Sequence, residues 1–247
     1  MQKKLYLYGV VRADQNRSLG ALGLSTEGSP SEIRLHSIGG LGVAYQEKEI
    51  HDDEELPASR KNLVNHQRIV ELMMGEYAVL PFAFGTLVND TAALETLVNE
   101  KKEELEATLD KIEGMVELSL KVLWEKMDTV FEELMTENDE INEKRQYLIE
   151  NNIHNQDEKI ELGKMVEAAL DEKKEAMLEV VLSKLSTYSK DQKVLKNVSD
   201  AMFANVAFFV ERSKEKDFDA AVNELSDRMG ENLVFKYVGP MAPVNFI

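Results

Sequence analysis

The side chains best suited to catalysis near neutral pH are histidine and cysteine, and the chain offers few of them. It has no cysteine, which excludes thiolate metal ligands and cysteine nucleophiles. Its four histidines fall in different predicted segments, at His36, His51, His66 and His154. The sequence also lacks a phosphate-binding loop, a G-x-S-x-G nucleophile turn and an H-E-x-x-H zinc motif. We therefore predict no catalytic residue, no metal site and no cofactor.

Carboxylates are abundant enough to leave one enzymatic alternative open. The sequence contains 46 Asp and Glu residues, and a glycosidase-type reaction needs only two carboxylates in one cleft. The alternative function is therefore a carboxylate-dependent hydrolase or transferase with a cleft between two domains. The acidic run at residues 51–55 has no calcium-loop spacing, so we interpret it as a solvated loop. His66 lies within a predicted helix without a catalytic neighbour, and we interpret it as a structural or surface residue.

The overall charge narrows the possible partners. The formal net charge of the 247 residues is −17, which is unfavourable for binding nucleic acid or an anionic membrane surface. No segment has the apolar length of a membrane span, and the basic first residues precede a run too short and too polar for a signal peptide. We expect a cytoplasmic protein whose charge keeps its copies apart, which suits a protein that handles aggregation-prone partners.

The elements that would position a site begin with a β-rich first half. Alternating apolar residues predict strands, and apolar residues at every third or fourth position predict helices. The predicted elements are, in order, a buried strand at Leu5–Val11, a loop at 14–31, a glycine-turn hairpin at 33–45, a helix at 59–75, a strand–turn–strand at 79–88 and a helix at 91–112. Because Gly114 follows the last helix, we predict a first domain at residues 1–112.

The second half is predicted to form a domain at residues 113–239, followed by a tail at 240–247. Its predicted elements are a strand at Val116–Trp124, a charged helical region to Leu185, a strand at Phe203–Val210, a helix at 218–229 and a strand at Leu233–Val238. We interpret the helical region as an antiparallel pair with a polar tip at 137–159. A ferredoxin-like sheet would need one more strand, either near Tyr188 or replaced by the helical insertion. The predicted fold class is α+β.

Two uncharged segments with prolines stand out in a chain of which 30% of the residues are charged. Proline stiffens an extended chain, so such a segment either docks on its own protein or is offered to a partner. The candidate partner-binding residues are Pro81, Phe82, Phe84, Gly85, Thr86, Pro240, Pro243 and Phe246. The structural alternative is that Gly85 only makes a tight turn and that the tail only docks on the N-terminal domain, holding the two domains together.

Three motifs resemble the gas vesicle protein GvpF/GvpL family and occur in the family's order. They are Leu-Tyr-Leu-Tyr-Gly-Val-Val at 5–11, Leu-Pro-Phe-Ala-Phe-Gly-Thr at 80–86 and Gly-Pro-x-x-Pro-x-Asn-Phe at 239–246. Ala83 stands where the family usually has arginine. The tail also departs from the family's usual Trp, Pro and Tyr at Met241, Ala242 and Val244. The resemblance extends over the whole chain.

The resemblance implies a non-enzymatic accessory or minor structural protein of gas vesicle formation. It also implies a two-domain α+β architecture in which the second domain is a modified ferredoxin-like fold with a long helical insertion. The partners that it implies are the small hydrophobic gas vesicle shell protein and other gas vesicle accessory proteins. We therefore expect the protein to lie in the cytoplasm and at the gas vesicle.

Overall fold

A computed structural model describes residues 2–23, 31–50, 56–152, 155–230 and 232–247. Contacts divide the chain into two units, one formed by Met1–Glu117 with Pro240–Ile247 and the other by Leu118–Gly239. The domains predicted from the sequence, at residues 1–112 and 113–239 with a tail at 240–247, remain a prediction. The predicted acidic loop at 51–55 lies outside the described residues.

The N-terminal unit contains an antiparallel sheet with its first strand near the centre. β1 (Gln2–Arg12) pairs with β4 (Leu41–Ile50) along one edge and with the short strands β5 (Leu80–Pro81) and β6 (Leu87–Val88) along the other. Every residue from Leu5 to Val11 is buried, as predicted. A continuous apolar run is suited to this central position because both of its faces are covered.

β3 (Ser31–Ile38) and β4 form the predicted hairpin. Its turn residues Gly39 and Gly40 have φ angles of +57° and +91°, the left-handed region that favours glycine in two-residue hairpin turns. β3 also pairs with β2 (Arg17–Gly23) at the edge of the sheet. The prediction of a loop over 14–31 is therefore wrong for β2. Glycines and shifts of register interrupt this edge strand, so its sequence lacks a regular strand pattern.

The described residues of this unit also include the helices α1 (Arg60–Met74), α2 (Thr91–Glu100) and α3 (Lys102–Ile112). The Ser59 hydroxyl accepts a hydrogen bond from the amide of Asn62 and caps α1, as predicted. The single helix predicted over 91–112 is interrupted at Lys101. The buried residues of α1 are His66, Ile69, Val70, Met73 and Met74.

The C-terminal unit contains a four-stranded sheet in the order β10-β7-β9-β8. The strands are β7 (Met115–Trp124), β8 (Asp191–Val194), β9 (Met202–Glu211) and β10 (Leu233–Met241). The additional strand that a ferredoxin-like sheet needs is therefore present as β8, shortly after Tyr188. It pairs antiparallel with β9 at the sheet edge. The predicted modified ferredoxin-like fold is confirmed.

In the described part of the helical insertion there are three helices: α4 (Met127–Glu137), α5 (Asp139–Glu150) and α6 (Gln156–Leu185). The prediction of a helical pair with a polar tip is wrong because α5 occupies most of that tip. Asn138 caps α5 by accepting a hydrogen bond from the Ile141 amide. The buried residues of α5 are Ile141 and Leu148. Such a narrow apolar stripe leaves little periodicity in the sequence.

The last helix, α7 (Glu215–Met229), ends at Gly230, as predicted. It buries Phe218 with its ring 5.0 Å from that of Phe208 in β9. Among the residues that the structure describes, no helix combines the length and apolarity needed to cross a bilayer.

Candidate partner-binding groove

The chain between β5 and β6 forms a turn that is fastened to β1. The Phe82 amide donates a hydrogen bond to the Tyr8 carbonyl, and the Leu7 amide donates one to the Thr86 carbonyl, each at 3.0 Å. Gly85 has a φ angle of +91°, and a Cβ added there would meet no atom within 4 Å. The backbone conformation, and not a lack of space, therefore favours glycine at this position.

His66 of α1 holds this turn through a buried hydrogen-bond network. Its Nε2 lies 3.1 Å from the Phe82 carbonyl, which can only accept, so Nε2 carries the proton. In the neutral ring Nδ1 then accepts from the Tyr6 hydroxyl at 2.6 Å. The Phe84 ring packs edge-on against the rings of Tyr6 and His66, with centroid distances of 6.1 and 5.9 Å. The network joins β1, α1 and the turn.

Burial shifts the pKa values of three groups in and beside this network towards their neutral forms. It raises the pKa of Tyr6 to about 12, although a hydrogen bond with the Gly85 backbone opposes the shift. It lowers the pKa of His66, against the opposing effect of the bond to the Phe82 carbonyl. Burial also lowers the pKa of Lys48, whose Nζ lies 5.0 Å from the centre of the Tyr6 ring. His66 is therefore the structural residue that we predicted, although it is buried.

The network predicts a loss of stability in mild acid. Below the ordinary histidine pKa of about 6.5, the unfolded chain binds a proton at His66 that the folded chain does not bind until lower pH. The free energy of unfolding should therefore fall as the pH drops through this range, by at most about 1.4 kcal/mol per pH unit for this group. Urea unfolding at a series of pH values should show a steeper loss in the wild type than in His66→Gln. Parallel losses would contradict the assignment.

The tail packs on the N-terminal unit to which it belongs. Its last turn is a short 3₁₀ helix at Val244–Phe246. Ala242 and Phe246 are 4% and 3% exposed, and Pro243 is also buried. The side chains of Ala242, Pro243 and Phe246 therefore dock the tail on its own protein. Docking on the protein itself was one of the two alternatives that the sequence left open.

A buried carboxylate fastens the tail. Glu117 is 1% exposed, and both of its oxygens accept hydrogen bonds from Asn245. The Asn245 backbone amide donates to Oε2 at 2.9 Å and its side-chain amide donates to Oε1 at 2.6 Å. Lys111 Nζ also donates to the Phe246 carbonyl at 2.5 Å. These bonds set the position of the tail relative to α3 and the start of β7.

Residues of the turn, α1 and the tail line an open, mostly apolar groove of about 930 Å³. Four apolar side chains around it are well exposed: Leu63 (43%), Val64 (59%), Val244 (51%) and Ile247 (46%). The other lining residues are His66, Gln67, Arg68, Val70, Glu71, Pro81, Phe82, Ala83, Phe84, Met241 and Ala242. Clustered exposed apolar side chains mark a candidate binding surface.

The candidate residues of the turn divide into those that line the groove and those that shape the turn. Pro81, Phe82 and Phe84 line the groove. Gly85 and Thr86 shape the turn, since Gly85 supplies the left-handed backbone and the Thr86 hydroxyl donates to the Ala83 carbonyl at 2.7 Å. Their assignment to partner binding remains a prediction.

The predicted residues of the tail anchor the groove wall without lining it. Within the tail, Pro243 and Phe246 have buried side chains, and Pro240 lies half-buried near the end of β10. The prediction missed the α1 side chains on the opposite wall, chiefly Leu63 and Val64. These residues lie beside the buried stripe of α1, so their exposure depends on how the helix is rotated against the sheet.

Comparisons with known proteins identify the family. The family described as "Gas vesicle synthesis protein GvpL/GvpF" matches residues 4–247. Gas vesicle protein F of Dolichospermum flosaquae is 26% identical over 249 residues, covering 100% of this chain and 98% of the relative. Gas vesicle protein F of a Nostoc species is also 26% identical, with the same coverage.

Solved structures share the fold. The crystal structure of GvpF from an Anabaena species matches with a TM-score of 0.87 at 24% identity, covering 99% of this chain and 98% of that one. GvpF from Microcystis aeruginosa matches with a TM-score of 0.80 at 22% identity and 98% coverage of both chains. The family is one of gas vesicle proteins and not a known enzyme family, so the role of this chain is related to gas vesicles. The chain belongs to the GvpL/GvpF family of gas vesicle synthesis proteins.

Proposed function

We propose that this chain is an accessory or minor structural protein of gas vesicle formation that binds the hydrophobic shell protein, alone or with other gas vesicle accessory proteins. The groove between α1, the turn and the tail is the binding surface. The protein acts in the cytoplasm and at the gas vesicle. Its role is to hold apolar partner segments in solution during assembly, without catalysis.

The observation that carries the proposal is the concentration of exposed apolar side chains around one groove. The chain has a formal net charge of −17, yet Leu63, Val64, Val244 and Ile247 are each 43–59% exposed at this one place. Burying apolar surface contributes roughly 25 cal/mol per Å², so an apolar segment in the groove would be favoured. The acidic remainder of the surface would keep the complex soluble.

The rigid walls favour binding because little conformational freedom is lost. The His66 network holds the turn, and the bonds between Asn245 and Glu117 hold the tail. A surface that is already ordered avoids much of the entropic cost of association. Gly85, Thr86, Pro243 and Phe246 support the walls in this proposal.

The enzymatic alternative gains no support from the carboxylates. Of the acidic side chains that the structure describes, only Glu117 is buried. Both of its oxygens accept hydrogen bonds from Asn245, so it holds the tail. Within the described ranges, no group of three or more histidine, aspartate and glutamate side chains is arranged to bind a metal ion.

A pair of matched leucine variants tests the groove. Leu63 and Leu72 both lie on α1 and are 43% and 49% exposed, but only Leu63 lines the groove. We expect Leu63→Ser to reduce co-purification of the co-expressed shell protein about 5-fold, because one of the exposed apolar contacts of the groove is lost. Leu72→Ser should leave co-purification close to the wild-type level. Circular dichroism and thermal unfolding would check that both variants fold.

Two results would overturn the proposal. One is equal retention of the shell protein by the wild type and by Leu63→Ser. The other is equal loss in both leucine variants, because this would place the effect in the stability of α1 and not in the groove. Failure of the wild type to retain the shell protein would restrict the proposal to binding of the other accessory proteins, which the same variants can test.

A further inference from the structure

We infer that the outer edge of β2 binds an extended segment of a partner protein, which adds a strand to the sheet and places one aromatic or branched apolar side chain in a pocket beside β2. This pocket shares no lining residue with the groove between α1, the turn and the tail. The inference therefore adds a second interaction surface and does not depend on the proposed function.

β2 is the terminal strand of its sheet. It pairs with β3, and no other strand of the described residues pairs with it. Every second residue of such a strand directs its N–H and C=O groups away from the sheet, where a further strand can bond them. The sequence of β2 contains neither lysine nor proline, the residues that commonly protect an edge. The outer side of β2 is therefore a template for an extended chain.

Two shifts of register make this template short. They fall between Ser18 and Gly20 and between Gly20 and Gly23, and the Gly20 amide donates a hydrogen bond to the Ser18 hydroxyl at 3.1 Å. An added strand can therefore form only a few backbone hydrogen bonds with β2. In strand addition, pockets for alternate side chains provide the specificity, so a pocket next to this edge would complete the site.

Such a pocket lies between β2, β3 and the C-terminal half of α1, with a volume of about 180 Å³. In its lining Ile33, Ile69 and Met73 are buried, whereas Leu72 is 49% exposed. Drug-sized ligands occupy pockets of roughly 300–1,000 Å³, and a cavity of about 150 Å³ holds a benzene ring. The volume therefore fits one aromatic or branched side chain. The other lining residues are Arg17, Leu19, Glu76 and Tyr77.

The edge and the pocket suit the same occupant. A strand added to β2 would lie roughly 4.8 Å beyond it, and its side chains would alternate between the two faces of the sheet. Side chains on the face toward α1 would stand next to Leu19 and Leu72, which line the pocket. A single extended segment can thus bond the backbone of β2 and cover the exposed part of Leu72.

The charges of the pocket lining balance each other. Arg17 pairs with Glu76 at 2.5 Å, and its guanidinium lies 5.2 Å from the centre of the Tyr77 ring. The remaining lining residues are uncharged, so an uncharged side chain is the one that suits the pocket. A second copy of this chain is disfavoured as the occupant, because two copies that each carry a net charge of −17 repel each other. The occupant is therefore a segment of a different protein.

The test measures the binding of three fluorescent synthetic peptides to the purified full chain. The first peptide alternates threonine with valine around a central phenylalanine, and the second has serine in place of the phenylalanine. The third keeps the phenylalanine but has N-methylated backbone amides, which cannot donate hydrogen bonds. Leu72→Ser is compared with Leu63→Ser, which is similarly exposed on α1 but lines the groove and not the pocket. Circular dichroism and thermal unfolding check that both variants fold.

We expect the wild type to bind the phenylalanine peptide about 10-fold more tightly than either of the other two, because each of those lacks one of the two kinds of contact. Leu72→Ser should weaken binding of the phenylalanine peptide about 5-fold, and Leu63→Ser should leave it unchanged. The bound phenylalanine peptide should also slow hydrogen exchange of the β2 amides, since an added strand covers their outer side.

Three results would overturn the inference. The wild type binds none of the peptides, or it binds the N-methylated peptide as tightly as the first, or the two leucine variants have equal effects. Sedimentation velocity adds a further check, since self-association abolished by Leu72→Ser would make a second copy the occupant. None of these results touches the proposed function, which is tested by the loss of the shell protein in Leu63→Ser.

Discussion

Replacing Phe246 by alanine is expected to destabilise the N-terminal unit by about 3 kcal/mol. The ring is 3% exposed, so its removal exposes buried apolar surface and leaves a cavity that the neighbouring residues fill only partly. The backbone carbonyl of Phe246 can keep its hydrogen bond from Lys111 in the variant. The loss therefore measures the packing of the ring. Hydrogen exchange of the β1 amides would report it, since β1 lies in the sheet of this unit.

Val244→Ala is the matched control, because Val244 lies in the same 3₁₀ turn as Phe246 but its side chain is 51% exposed. Its effect should stay below about 0.5 kcal/mol. The single tryptophan, Trp124, belongs to the other unit, so its fluorescence follows that unit separately. Small and equal losses in both variants would contradict a docked tail and would favour a tail that is offered whole to a partner.

Asn245→Asp is expected to cost about 3 kcal/mol at neutral pH, although the two side chains have almost the same shape. Asn245 donates to the buried carboxylate of Glu117. Aspartate removes that donor and places a second negative charge beside the first, where water cannot screen it well. Part of the loss should be recovered on moderate acidification, since a protonated carboxyl at residue 245 can donate again. Urea unfolding followed by circular dichroism at several pH values measures both effects.

Asn245→Ala separates the lost hydrogen bond from the added charge. It should cost about 2 kcal/mol, the usual range for a hydrogen bond to a charged group, and acidification should not recover this loss. The backbone amide of residue 245 can still donate to Glu117 in both variants. An aspartate variant as stable as the alanine variant at neutral pH would contradict the expected repulsion between the two carboxylates.

The sequence predicted the elements whose stability is local or whose apolar pattern is strong. The buried run of β1, the glycine turn between β3 and β4 and the cap of α1 at Ser59 all follow from such signals. β2 and α5 were missed for related reasons. β2 depends on pairing with β3 across a long connection, and α5 buries only two residues, so neither has a strong pattern of its own. The Asn138 cap was the available signal for α5.

The candidate site was predictable only in part. The uncharged turn and tail were recognisable because proline and aromatic residues are unusual in so charged a chain. The contact between Tyr6 and His66 joins residues 60 positions apart, and the pairing of Glu117 with Asn245 joins residues 128 positions apart. Periodicity within one segment carries no information about such distant pairs. The groove itself is formed by these pairings, so it appears only in the folded chain.

The most direct test of the account is a hydrogen-exchange footprint of the full chain with and without the gas vesicle shell protein. The account predicts slower exchange in three separate segments that line one groove, at residues 63–71, 81–84 and 241–247. It predicts little change in the helical insertion at α4–α6 or along β8. Protection confined to the helical insertion, or the absence of any protection at the turn and the tail in a complex that forms, would contradict the claim that this groove binds the shell protein.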